Sequence, residues 1–258
     1  MSLCPKCGYR RQAKDAQVHP SICPACGIAI NKWRARMDAQ GAADQAPGHR
    51  DVGRESESDL PQPFLHRLQA HFMWVAVPSR ADSIWGRALL TGVLAVWGAW
   101  FALNGIDWQV IGGSFMHNIN LPFHEFGHVL FMPFGRTMMI LGGSLFQVLL
   151  PLIVLCVFSF KQQDNHAASV GLWWCGQSFV DLAPYIADAQ YRILPLVGGA
   201  GEESHDWGNL LTQWGLLEYT QGIARASFGL GVLIMAVAIA WGIFLLRKQW
   251  HLAHEDTA

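Results

Sequence analysis

Long runs without one charged side chain limit what this chain can fold into. Ala88 to Ile106, Thr137 to Phe160 and Ala226 to Leu246 carry no Lys, Arg, Asp or Glu, and Arg247 and Lys248 close the last run. Each matches the roughly 20 residues that a helix needs to cross the hydrocarbon core. Trp108 to Phe134 and His166 to Ile186 are apolar with a few polar or acidic insertions. Backbone amides in lipid must be satisfied within the segment, so such runs fold as helices. The expected fold is mainly α: a polytopic membrane helix bundle over 88–250, with about five to six transmembrane segments. Trp207 to Tyr219 is apolar but short; counted as a crossing, it makes the sixth.

Composition agrees with a lipid bilayer as the solvent. Only 14% of the 258 residues are charged, against about 25% in soluble domains. The 12 Trp fit a membrane protein, where indoles gather at the interfaces. A net charge of -1 offers no footprint for nucleic acid, and none is expected as a partner.

The polar residues are concentrated before residue 88. Cys4 and Cys7 form one Cys-x-x-Cys pair, Cys23 and Cys26 another. Two such pairs suit a tetrahedral structural zinc site, and Gly8 and Gly27 follow where the turn needs positive φ. Residues 1–32 are therefore expected to be a zinc ribbon, folded by its metal because it has no core of its own. Free thiols imply a reducing compartment, and the first residues lack the apolar stretch of a signal peptide. The expectation is a multi-pass protein of the cytoplasmic (inner) membrane with a cytosolic N-terminus. Residues 33–63 read as a flexible linker. Residues 64–87 read as a juxtamembrane segment, either an amphipathic helix on the membrane surface or a short helix packed on the body. The positive-inside rule places Arg80, Arg87, Arg136, Arg192, Arg247 and Lys248 on the cytosolic side, and leaves Lys161 on the wrong side.

His124-Glu125-Phe126-Gly127-His128 lies within this apolar sequence. On a helix its two histidines stand one turn apart on one face, where both can bind one zinc ion. Glu125 then sits beside the metal as general base. Titratable residues in a bilayer are costly and usually functional. A catalytic zinc needs a third protein ligand and an open water position. Asp181, Asp188, His205 and Asp206 are the candidates, and Asp206 also reads as the N-cap of a following helix.

Over residues 115–220 the chain resembles the site-two protease family of intramembrane zinc metalloproteases. That family pairs His-Glu-x-x-His with a later Asn-x-x-Pro, a loop, and Leu-Asp-Gly-Gly-x-x-Leu. Here Asp181-Leu-Ala-Pro184 precedes His205-Asp206-Trp207-Gly208-Asn209-Leu210-Leu211, and Gly142-Gly143-Ser144-Leu145-Phe146-Gln147 resembles the family's glycine-rich segment. The resemblance implies Asp206 as third ligand, with Asp188 as the alternative. The chain departs from the pattern at Trp207, at Asp181 and in its longer loop.

The expected activity is cleavage of a membrane protein substrate. Zinc lowers the pKa of its water to around 7 and polarises the carbonyl, and Glu125 carries the proton to the leaving amine. His117 or Asn118 would stabilise the oxyanion or line the site, and Gln147 would position the substrate backbone. Gly142, Gly143 and Ser144 would pair with an extended substrate or pack helices closely. Two further readings compete: a non-catalytic zinc-bound membrane scaffold whose ribbon recruits a cytosolic protein partner, and a zinc transporter.

Overall fold

A computed structural model describes residues 3–12, 15, 18–19, 21–35, 37, 64–75, 81–195, 201 and 204–255. The chain divides into two compact units, Met1–Pro61 and Gln62–Ala258. The linker expected over 33–63 lies outside the described residues, apart from 33–35 and 37.

The first unit uses one device twice. The Gly8 N–H donates to Cys4 O, and the Gly27 N–H to Cys23 O, each at 2.9 Å. Both glycines have a φ of 69°, which costs glycine nothing. An isolated antiparallel bridge backs each turn, Leu3 with Arg10 and Ile22 with Ala29. The described residues of this unit contain no longer strand.

The second unit is helical: α1 (Phe64–Phe72), α2 (Ala81–Asn104), α3 (Trp108–Ile111), α4 (Phe115–Phe131), α5 (Arg136–Cys156), α6 (Asn165–Ala187), α7 (Asp206–Trp214) and α8 (Thr220–Glu255). A π-helical turn, Val157–Lys161, extends α5.

Among the described residues, three segments are long and apolar enough to cross a membrane: Ile84–Asn104, Arg136–Lys161 and Leu217–His254. This is fewer than the five to six expected from sequence. α4 has 17 residues, roughly 25 Å of helix, which falls short of the hydrocarbon core. α7, with nine residues, is shorter still. α6 is long enough at 23 residues, but most of it is buried, including Asn165, His166, Gln177 and Asp181. Hydropathy measures compatibility with lipid; a helix enclosed by other helices carries polar residues that lower it.

α6 organises the bundle. It runs parallel to α2, joined by Arg87–Asp164 hydrogen bonds of 2.7 and 3.1 Å and by Thr91–His166 at 3.0 Å. It runs antiparallel to α8, where Gly176 faces Gly231: a Cβ on either glycine would come within 2.7 Å of the other's carbonyl oxygen. Small residues at such a crossing let backbones approach. Leu94, Phe101, Ile111, Met116, Trp173, Val180 and Met235 fill the core between these elements.

These contacts revise the expected topology. The Arg87–Asp164 pair puts the start of α2 and the turn after Lys161 at one end of the bundle. Arg136 begins α5 at the other end. Arg87 and Lys161 therefore share an end, and Arg136 does not join them. The reason lies in α4. It meets α6 through Asn120–Gln177 and His117–Asp181, roughly 18 Å along α6 from its first turn. The chain thus enters α4 from the half of the bundle where α2 ended, without a crossing between.

The end of α1 is packed on the bundle. Asn165 Nδ2 donates to His71 O and Trp74 O, and Trp241 Nε1 donates to Phe72 O. Phe64 and Leu65, at its start, remain exposed.

Candidate metal centres

α4 carries His124 and His128 one turn apart, with ring centroids 5.0 Å from each other. α7 begins with Asp206. Asp206 Oδ2 lies 3.1 Å from His124 Nε2 and 3.2 Å from His128 Nε2. These three residues can hold a metal ion, since one ligand atom from each lies within 4.8 Å of the others.

The surrounding hydrogen bonds fix the donor set. His124 Nδ1 lies 2.9 Å from Gln147 Oε1, and His128 Nδ1 2.9 Å from Met139 O. Gln147 cannot turn its amide around, because its Nε2 donates to Asp181 Oδ2 at 2.8 Å. Both Nδ1 atoms therefore carry the proton, so each Nε2 faces Asp206 either as an N–H donor of an imidazolium or, in the neutral ring, as a ligand atom for a metal. A metal ion bound among the three atoms would take the place of the Nε2 protons. Metal bonds of about 2.0–2.1 Å to N and O would give a tetrahedral edge of roughly 3.3 Å, close to the separations observed. Gly143 clears the space: a Cβ there would sit 2.6 Å from both Nε2 atoms.

The other third-ligand candidates have different tasks. Asp188 accepts from the Ile193 and Leu194 N–H groups at 3.2 and 2.9 Å, which secures the chain leaving α6. Its Oδ2 lies 3.4 Å from His205 Nε2. His205 Nδ1 accepts from the Gly208 N–H at 3.0 Å, so His205 is the N-cap of α7. The sequence offered Asp206 for that role; with the cap supplied by its neighbour, the Asp206 carboxylate is left for the histidines. Asp206 N–H donates to the Tyr185 hydroxyl at 2.9 Å. Trp207, which departs from the Asp-Gly pattern, ties α7 to α5 through Nε1 donating to Ser144 Oγ at 3.1 Å. Nothing local in the sequence marks Tyr185 or His205 for these roles.

Glu125 is exposed beside His124. With His117, Tyr185, Arg136 and the three ligand residues it lines a cavity of about 740 Å³. Asn118 is turned away: it is exposed, and its Nδ2 donates to Ser114 O. Both ends of the buried Gln147 amide are engaged, so it orients His124 rather than a substrate. Gly142, Gly143 and Ser144 lie inside α5, where the helix uses their backbone groups. Gly142 serves close packing, since a Cβ on Gly127 would meet Gly142 O at 2.2 Å.

Cys4, Cys7, Cys23 and Cys26 form a second group that can hold a metal ion. Cys4 Sγ lies 3.8 Å from Cys26 Sγ, and Cys7 Sγ 3.7 Å from Cys23 Sγ. Metal–sulfur bonds of about 2.3 Å give a tetrahedral edge of roughly 3.8 Å. Burial opposes ionisation of Cys4, yet the Cys7 and Lys6 amides bring its thiol down to about 6. The Tyr9 amide favours the Cys7 thiolate, but the three neighbouring sulfurs push that thiol up to about 12. Four thiolates this close need a cation to ionise together.

No protein-family model, no curated protein and no solved structure matches this chain.

Proposed function

We propose that the second unit is an intramembrane zinc metalloprotease of the site-two type, and that the four cysteines hold a structural zinc. One observation carries the reading: His124, His128 and Asp206 converge in a cavity that Glu125 also lines. Two imidazoles and one carboxylate with an open side are the donor set of catalytic zinc sites. Zinc held by His124, His128 and Asp206 would supply a water of lowered pKa and a Lewis acid for a carbonyl. Glu125 takes the water's proton and delivers it to the leaving amine. Gln147 and Met139 hold the two imidazoles in the ligating tautomer. A cavity of about 740 Å³ takes a short stretch of peptide, which must be unwound because helical carbonyls are already hydrogen-bonded. The free thiols of the first unit support a cytosolic N-terminus in the cytoplasmic membrane.

The test is cleavage of transmembrane peptides in lipid nanodiscs, by the full chain and by Glu125→Gln. The wild type should cleave. The variant should lose at least about 100-fold in rate, within the range of general-base effects, and keep its zinc. Zinc-replete wild type that cleaves no peptide would instead favour a metal-bound scaffold.

A further inference from the structure

Asp181 is a third carboxylate in the cavity, beside Glu125 and Asp206; it fixes the Gln147 amide, and the protease reading gives its contact with His117 no task. It is almost fully buried, with 4% of its surface exposed. Its Oδ2 accepts from Gln147 Nε2 at 2.8 Å and Asn120 Nδ2 at 3.2 Å, and its Oδ1 lies 3.1 Å from His117 Nδ1. Asn120 is itself fixed, by Gln177 Oε1 and by the Trp174 indole N–H, each at 2.8 Å. Both Asp181 oxygens are thus already engaged by protein groups. Its partner, the His117 ring, also lines the cavity and stands T-shaped to Trp108, with ring centroids 5.2 Å apart and planes at 81°.

A buried carboxylate is stabilised by a cationic partner, and an imidazolium beside it makes the pair neutral. In that state His117 donates through Nδ1 to Asp181 and keeps Nε2–H as a second donor. His117 precedes His124 by seven residues. That is close to two helical turns, so the two rings project from nearly the same face, roughly 10 Å apart along the axis. An extended peptide covers that distance in about three residues. Unwound substrate brings backbone carbonyls that have lost their helical donors, and they must find new ones away from water.

We infer that His117, oriented by Asp181, is a substrate-binding residue that donates Nε2–H to a backbone carbonyl of the unwound substrate, about three residues from the scissile bond. Asp181 is the positioning residue. This rests on the protease reading and adds the class of group recognised: a main-chain carbonyl, independent of side chain.

The experiment is a scan of cleavable peptides in which each backbone carbonyl in turn is replaced by methylene, run on the full chain in nanodiscs. For the wild type, one replacement about three residues from the cleavage point should lower kcat/KM by about tenfold or more, the range for a hydrogen bond to a charged group. His117→Phe should lose a similar factor on the unmodified peptide, keep its zinc, and show no further loss at that position. Asp181→Asn, whose Nδ2 would donate to His117 Nδ1 and leave a neutral ring with Nε2–H, should weaken the loss at that position without abolishing it, a pattern that a general loss of folding would not produce. His117→Gln, which retains a donor, should recover part of the rate. If His117→Phe keeps kcat/KM within about threefold of wild type, or keeps the wild-type scan profile, the inference is overturned while the protease reading stands. If zinc-replete wild type cleaves no peptide, the protease reading fails and this inference falls with it.

Discussion

A single methyl group tests whether a cation lies between His124 and His128. At Gly143 it would stand 2.6 Å from both Nε2 atoms, inside any coordination sphere they share. Gly143→Ala should empty the membrane site and leave the cysteine site loaded, read as metal per chain by elemental analysis. Full metal retention would mean that the two imidazoles do not share an ion. The residue scale was also the most legible in the sequence. The spacing of His124 and His128, and of each Cys-x-x-Cys pair, is local, and a helix or a tight turn converts it directly into geometry. Tyr185 carries no such signal, and the glycine-rich segment that marks Gly143 does not say that it clears space beside the histidines. The importance of both residues comes from α5 and α6 passing the histidines, a long-range fact that no local pattern encodes. The same holds for His117 and Asp181, which lie 64 residues apart.

Elements were legible where they face lipid. α2, α5 and α8 announce themselves as uncharged runs, whereas α6 owes its polar residues to neighbouring helices, and α4 and α7 are too short to cross, so crossings were overcounted. The start of α7 was also located, but its cap was assigned one residue late. Asp ahead of an apolar run is a good cap, and only the folded chain shows that His205 takes that role and frees Asp206. His205→Ala should leave the Gly208 N–H unpaired, costing about 1 kcal/mol at the start of α7, and should loosen the loop that Asp188 holds. Because α7 aims Asp206, metal retention at the membrane site should weaken by roughly 10-fold or more, as for other supporting partners of ligands. Competition with a chelator measures this, with the cysteine site as internal control. Unchanged retention would show that Asp206 is positioned without its cap.

For the whole molecule, the Arg87–Asp164 pair makes a topological claim. Lys161 lies with the start of α2, and Arg136 at the opposite end of α5. Site-resolved labelling by an impermeant maleimide, read by mass spectrometry, should find Lys161→Cys and Arg87→Cys reactive from one face of the membrane and Arg136→Cys from the other. Lys161 and Arg136 reacting from the same face would contradict this packing. The charge rule alone grouped them wrongly because it assumed that α4 spans.

The central claim is that the chain has two separate metal sites, one built by cysteines and one by His124, His128 and Asp206. Zinc per chain in purified protein tests it most directly. Wild type should hold about two ions, falling to about one in His124→Ala/His128→Ala and in Asp206→Ala, and staying near two in Asp188→Asn. One ion throughout, lost only when the cysteines are replaced, would contradict the account and leave the membrane histidines without a metal.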